Sequence, residues 1–354
     1  MTNSFQINNR TVGGGAPPYI IAELSGNHNG SLDRALALVE AAADAGADAV
    51  KLQTYRPDTI TIDHSAEEFI VSGGLWNGRR LYDLYEEAHT PWDWHAPLFE
   101  KARACGITLF SAPFDQTAVD LLERLHAPAY KIASPEIVDL PLIARVAQCG
   151  KPMILSSGMA SLEEIEEAVA TAKENGATDI AVLHCTSAYP TPPDEANLAT
   201  IADLKEKLGL VVGLSDHTLA TTVAVASVAV GADIIEKHFC LSRDEGGIDS
   251  DFSLEPAELK QLVDAAKICH AALGQPQYRP TEKEAPSLKH RRSLYVVADV
   301  KAGDILTEEH VRSIRPALGL HTRYLDKVIG KRATRDLIFG TPLSADMVDG
   351  DLDS

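Results

Sequence analysis

Short apolar or β-branched runs alternate with segments of helical period from about residue 19 to residue 273. The runs predict strands at 19–24 (YIIAEL), 48–54 (DAVKLQT), 107–112 (ITLFSA), 129–134 (AYKIAS), 152–157 (PMILSS), 180–186 (IAVLHCT), 211–216 (VVGLSD) and 233–239 (DIIEKHF). Amphipathic segments at 32–45, 115–125, 139–148, 161–175, 197–208, 218–230 and 256–273 predict the helices between and after them. Ser161 and Glu164 have capping-box spacing, and Pro256 suits a first helical turn. Junctions such as AGADAV and VGADII place a glycine where a helix ends before the next strand. Eight β/α units in sequence predict a closed parallel TIM barrel over residues 1–274, preceded by a Gly/Pro-rich leader.

Two stretches break the rhythm. The second β/α connection runs from about 55 to 90 and contains GGLWNGRRLYDLYEEA, long enough to shape a pocket or a subunit contact, or to be a surface elaboration. Beyond Gly274 the period lapses through a linker at 275–292. The tail, 293–354, has short strand-like runs and glycine turns without long helices, which predicts a small separate β-rich domain.

Composition narrows the function classes. With 45% hydrophobic and 23% charged residues, the 354-residue chain can build a sizeable core. No apolar stretch approaches the roughly 20 residues that span a bilayer, and the N-terminal sequence lacks a basic and an apolar signal region, so a cytoplasmic protein with no membrane partner is expected. Five widely spaced cysteines without a CxxC pair fit a reducing compartment. A formal net charge of −19 argues against nucleic acid as a partner. A small anionic substrate then needs a local positive site.

The predicted strand ends carry candidate chemistry, and in a barrel these ends converge on one face. They supply Glu23, Lys51, Gln53, Ser111, Lys131, Ser134, Glu136, Ser156, His184, Tyr189, Ser215, Asp216, His217, Glu236, Lys237 and His238. His217 and His238 follow neighbouring strands, so two imidazoles can face one point. They are either ligands of a borderline divalent ion such as Mn²⁺, Fe²⁺, Co²⁺ or Zn²⁺, or two hydrogen-bonded histidines of a polar cleft. Lys51 and Lys131 point inward if the alternation holds. They bind an anionic substrate group, or pair internally with Glu23, Glu136 or Glu236, or one acts as a Schiff-base nucleophile. Asp249, in the glycine-rich loop 245–256, is either a turn residue or a contact over the barrel mouth.

The blocks IIAELSGNHNGS, DAVKLQT, YKIASPE, ILSSGM, HCTSAYPTP, GLSDHT and IEKHF, in this order and followed by this tail, resemble the N-acetylneuraminate (sialic acid) synthase family. The resemblance implies a TIM barrel followed by an antifreeze-like (SAF, β-clip) domain. It also implies condensation of phosphoenolpyruvate with an amino-sugar aldehyde. AELSGNHNG, GLWNGRRLYDLYEEAHTPWDWH and SRDEGGIDSDFSLEP are most similar to the branch that makes pseudaminic acid, which implies 2,4-diacetamido-2,4,6-trideoxy-altropyranose as co-substrate. By the same resemblance His217 and His238 hold a divalent metal ion (Mn, Mg or Co), and Lys51, Lys131, Ser134, Ser156 and Ser215 contact phosphoenolpyruvate. Glu23, Tyr189 and Asp249 hold the sugar, with Glu23 counted among the catalytic groups alongside the two lysines, and Glu136 moves protons. Arg315 reaches the active site of a second subunit in a domain-swapped homodimer. The sequence departs from the family pattern at Ala112, Ser187 and Ala317. Rival expectations are a synthase of another nonulosonic acid, such as N-acetylneuraminic or legionaminic acid, or of a 3-deoxy sugar acid, a Schiff-base lyase, and a sugar- or ice-binding protein on an inactive barrel.

Overall fold

The computed structural model describes residues 3–352. Contacts divide the chain after Gly274 into two compact units.

The first unit begins with an antiparallel hairpin, β1 (Ser4–Ile7) and β2 (Arg10–Gly13), in the stretch read from sequence as a leader. Phe5, Ile7 and Val12 alternate onto one buried face, and Asn8 at φ 50 makes the turn. These side chains join Tyr19, Ile21, Ala49, Phe110, Ile154, Ala181, Val211 and Ile234 in the inner core of the barrel.

Eight strands follow: β3 (Tyr19–Glu23), β4 (Ala49–Thr54), β5 (Thr108–Pro113), β6 (Tyr130–Ile132), β7 (Met153–Ser156), β8 (Ile180–Cys185), β9 (Val211–Asp216) and β10 (Ile234–His238). Each pairs in parallel with the next, and β10 pairs with β3 to close the barrel. The predicted TIM barrel is therefore present, every strand within two residues of its expected bounds. Buried on both faces, these strands read as continuous apolar runs, which is why they were legible. The larger core lies between strands and helices, where Leu38, Leu98, Leu122, Ile143, Ile201 and Leu262 pack outward-facing strand residues such as Val50 and Leu155.

The helices occupy the predicted segments, with the Ser161–Glu164 capping box formed and Pro256 in the first turn of Pro256–Leu273. One crossover helix, His95–Cys105, was not anticipated; it buries Leu98, Phe99 and Ala102. Gly213 cannot be replaced without disturbance, because a Cβ there would lie 2.3 Å from the Ile234 carbonyl oxygen between β9 and β10.

In the second unit, residues 275–292 are exposed. An antiparallel pair, β11 (Ser293–Val296) and β12 (Val311–Ile314), then combines with isolated bridges such as Val300↔Leu337 and Ile305↔Arg332. Leu294, Val296, Leu306, Val311, Val328 and Leu343 form its own core. Among the described residues no helix is long and apolar enough to cross a membrane.

Candidate active site

Alternation along each strand sends every second side chain into the barrel mouth. Register places Glu23 between Lys51 and His238, and Glu236 beside Ser215. The buried charges meet there. Lys51 Nζ is 2.7 Å from Glu23 Oε2 and 3.3 Å from Glu236 Oε1, and Lys131 Nζ is 3.1 Å from the same Glu236 oxygen. Ser215 donates its hydroxyl to that oxygen at 3.3 Å. Glu236 Oε1 thus marks a point approached by two ammonium groups and a hydroxyl. The internal pairing weighed for the lysines is realised with Glu23 and Glu236; Glu136 forms no ion pair among the described residues and its Oε2 is buried without a protein partner.

The electrostatics follow from these distances. Burial alone would raise Glu236, but Lys131 and Lys51 override it and hold the carboxyl at about 2. Burial dominates at Glu23 and pushes its carboxyl up despite Lys51. Burial would lower Lys51, but the Glu23 and Glu236 carboxylates more than reverse that; at Lys131 burial prevails and the pKa falls. Two adjacent carboxyls are therefore driven apart, one firmly ionised and one disposed to hold a proton. Glu136 is pushed up to about 7, chiefly by burial, with Asp139 acting in the same direction.

Around this charged floor stand serines. Ser156 Oγ is buried with no protein partner, and Ser134 donates its hydroxyl toward Cys185 Sγ at 3.4 Å. Gly158, at φ +47, lets the chain pass close to Ser134: an added Cβ would sit 2.4 Å from the serine Cβ. Ser187, one of the departures from the family pattern, has its hydroxyl 4.0 Å from Cys185 Sγ. The contact of Cys185 with His217 outweighs burial and holds the thiol at about 7.

The wall above the floor is aromatic. The rings of His217 and His238 lie 5.3 Å apart, Tyr189 packs on His217 at 4.4 Å, and Phe252 packs on His238 at 4.8 Å. His217 Nδ1 lies 2.9 Å from the Thr186 carbonyl oxygen, which can only accept; in the neutral ring Nδ1 carries the hydrogen and Nε2 the lone pair. His238 Nδ1 is buried without a hydrogen-bond partner, 3.7 Å from Asp249 Oδ2, and burial with the neighbouring cations holds the ring well below its ordinary pKa. Burial raises Asp249 to about 6. Two imidazoles with free nitrogens fit a divalent ion. Among the described residues no three His, Cys, Asp or Glu side chains close on one point, so water or substrate oxygens would complete the coordination.

The twelve residues to which the family resemblance gives roles are placed as follows. Eleven belong to the barrel unit, ten of them on β3, β4 and β6–β10 or directly after these strands and Asp249 in the loop beyond β10; Arg315 is exposed in the second unit, following β12. Three features carried no assigned role. Glu236, considered only as a counter-ion, is the centre of the charged floor. Gln53 donates to Glu23 Oε1 at 2.9 Å. Lys237 and Asp216 pair with each other at 2.8 Å, and strand alternation, applied to β9 and β10 together, identifies them as facing away from the mouth.

Comparison with known proteins agrees with this architecture. Residues 38–278 match the NeuB family and residues 291–349 the SAF domain. The pseudaminic acid synthase of Campylobacter jejuni is 45% identical, covering 92% of this chain and 95% of that protein. The pseudaminic acid synthase of Helicobacter pylori is 42% identical, covering 95% and 99%. Among solved structures, the N-acetylneuraminic acid synthetase of Leptospira borgpetersenii superposes with a TM-score of 0.74 at 33% identity, covering 82% of this chain and 97% of that one.

Proposed function

The chain belongs to the NeuB family, and from that premise we propose that it condenses phosphoenolpyruvate with 2,4-diacetamido-2,4,6-trideoxy-altropyranose to give pseudaminic acid and phosphate. The observation that carries the reading is the convergence of Lys51, Lys131 and Ser215 on the single oxygen Glu236 Oε1. Three donors aimed at one point, with the unpartnered Ser156 hydroxyl in the same floor, suit a ligand with several anionic oxygens. The names of the two pseudaminic acid synthases support the choice of sugar.

In this reading Lys51, Lys131, Ser134, Ser156 and Ser215 hold the carboxylate and phosphate, fixing C3 of the enol against the sugar carbonyl carbon. Glu23, beside Lys51, together with Tyr189 and Asp249 orients the open-chain sugar. A divalent ion (Mn, Mg or Co) held by His217 and His238 supplies Lewis acidity toward the aldehyde oxygen when bound. The C3–C1 bond forms, the aldehyde oxygen takes a proton, and C2 of the former enol becomes electron-poor. Water adds at C2 and gives its proton to a carboxylate. Glu136 suits that role because its pKa of about 7 lets it exchange a proton at neutral pH. The bond from C2 to the phosphate oxygen then breaks as the new C2 hydroxyl becomes the keto oxygen and its proton passes to the departing phosphate, which the lysines and serines stabilise.

We further propose, from the family resemblance of the sequence, a homodimer in which Arg315 of the partner subunit serves the sugar end of the site. The free cysteines suit a cytoplasmic setting.

The test is phosphate release from phosphoenolpyruvate with Mn²⁺, using the altro sugar, its manno counterpart and N-acetylmannosamine, each with and without chelator. Chelator-sensitive release with the altro sugar is expected. Release only with another sugar overturns the substrate, and no release with any of them overturns the reaction.

A further inference from the structure

The long connection after β4 contains a small hairpin whose position has a chemical consequence. Ile70 and Arg80 pair as an antiparallel bridge, the Val71 N–H donates to the Arg79 carbonyl oxygen and the Gly78 N–H to the Val71 carbonyl oxygen, each at 2.8 Å, and the Gly73 N–H donates to Asn77 Oδ1 at 2.7 Å. Gly73, Gly74 and Gly78 all have φ between +70 and +82, and an added Cβ at any of them meets nothing within 4 Å. The glycines are there for the sharp backbone path. The base is pinned by Arg80, whose guanidinium reaches Asp63 at 2.7 Å and Asp83 at 2.7 Å.

This path carries Trp76 over the barrel mouth. Its indole nitrogen donates to the Ile248 carbonyl oxygen at 3.0 Å, in the residue before Asp249, and its ring lies 5.5 Å from Tyr189, the ring that packs on His217. Trp76 therefore stands one ring further from the histidine pair than Tyr189. A sugar whose aldehyde carbon reacts beside the histidines and whose chain runs along Tyr189 brings its far end to Trp76. The polar group of the indole is already committed to Ile248, so the face it offers is apolar, with no donor left for a hydroxyl.

We propose that Trp76, set by the Ile70–Arg80 hairpin, is a specificity-determining residue that selects sugars with a deoxygenated, methyl-bearing far end. The inference rests on the function proposed above and deepens it. A C6 methyl packs on the indole, whereas a C6 hydroxyl there loses water and gains no partner. Phosphoenolpyruvate is assigned to the lysines and serines around Glu236, with which Trp76 makes no hydrogen bond or ring contact among the described residues.

The experiment compares wild type with Trp76→Ala and Trp76→Phe, measuring KM and kcat for phosphoenolpyruvate, for the 6-deoxy sugar and for its 6-hydroxy counterpart. Trp76→Ala is expected to raise KM for the 6-deoxy sugar about tenfold, the equivalent of one good aromatic contact, with KM for phosphoenolpyruvate unchanged. The kcat/KM preference for the 6-deoxy sugar should shrink by a similar factor, and Trp76→Phe should recover most of both. A sugar preference that survives Trp76→Ala, or parallel rises in both substrates' KM without rescue by phenylalanine, overturns the inference while leaving the synthase reading intact. A wild-type enzyme that turns over none of the sugars overturns the synthase reading itself, and this inference with it.

Discussion

Replacing Glu136 by glutamine separates the two consequences of burying an acid beside a reactive centre. The residue lies in the 3-10 turn Pro135–Val138 that follows β6, and although the residue as a whole is half-buried, its Oε2 is fully buried without a partner. Burial raises its pKa from 4.5 to about 7, Asp139 adds to the rise, and Lys131 and Lys51 oppose it. Between those values the folded chain holds a proton that the unfolded chain has released. The stability contribution of that proton is complete below pH 4.5, declines as pH rises, and is gone above about pH 7. Its size is at most about 3 kcal/mol, because one pKa unit is worth about 1.4 kcal/mol and partial exposure screens part of it.

Glutamine is neutral at every pH and nearly the same shape. Glu136→Gln should therefore match wild type near pH 4 and become more stable than wild type by about 1–3 kcal/mol at pH 8. Urea unfolding followed by tryptophan fluorescence reports the barrel unit, since Trp76, Trp92 and Trp94 all belong to it. In the same variant the limb of the kcat profile that rises through about pH 7 should disappear. A stability difference between wild type and variant that is the same at pH 4 and pH 8 would refute the assignment of a buried, reluctantly ionised carboxyl.

Two further outcomes are expected. Gly158→Ala places a Cβ 2.4 Å from the Ser134 Cβ at a φ of +47, so the serine must shift; KM for phosphoenolpyruvate should rise by about tenfold or more with KM for the sugar little changed, and equal effects on both would place Ser134 outside the phosphoenolpyruvate subsite. Mixing inactive Arg315→Ala chains with inactive Lys51→Ala chains should restore about a quarter of wild-type turnover if random exchange gives half heterodimers, each with one intact site; no recovery after demonstrated exchange would show that the arginine does not act across subunits.

How much of this was legible in the sequence depended on whether the signal was local. Buried parallel strands are near-continuous apolar runs closed by glycine junctions, so all eight could be read one at a time. The hairpin β1–β2 is masked in the sequence by flanking glycines and prolines, which suggest a leader. Its signal was present in the alternation of Phe5 and Ile7 around an Asn8–Asn9 turn. The helix His95–Cys105 was lost between two tryptophans and a proline in its first turn, with only Leu98, Phe99 and Ala102 marking its buried face. The candidate residues were found because barrel topology gathers strand ends. Their partnerships were not, because the Lys131–Glu236 contact joins residues 105 apart and the Trp76–Ile248 bond residues 172 apart. Contacts of that separation follow from register and loop path, neither of which leaves a periodic trace.

The role of Glu236 resolves an apparent conflict between the charge of the chain and that of its proposed substrate. A protein of net charge −19 should repel a phosphorylated carboxylate at long range. At physiological ionic strength such repulsion fades within about 8 Å, whereas the groups that meet the ligand are in contact with it. What matters at contact is that Lys51 and Lys131, almost wholly buried, each lie within 3.3 Å of a Glu236 carboxylate oxygen when nothing is bound. Glu236 provides for this by sitting between them with its carboxyl held at about 2. The carboxylate thus favours the charged form of both lysines, against a burial that still lowers Lys131, and covers them with the kind of oxygen they are built to receive. An anionic substrate arriving there exchanges one set of charge-assisted contacts for another, so little of its binding energy is spent creating the charges it binds. The same residue that makes two buried lysines tolerable in an acidic barrel also prepares them for an anion.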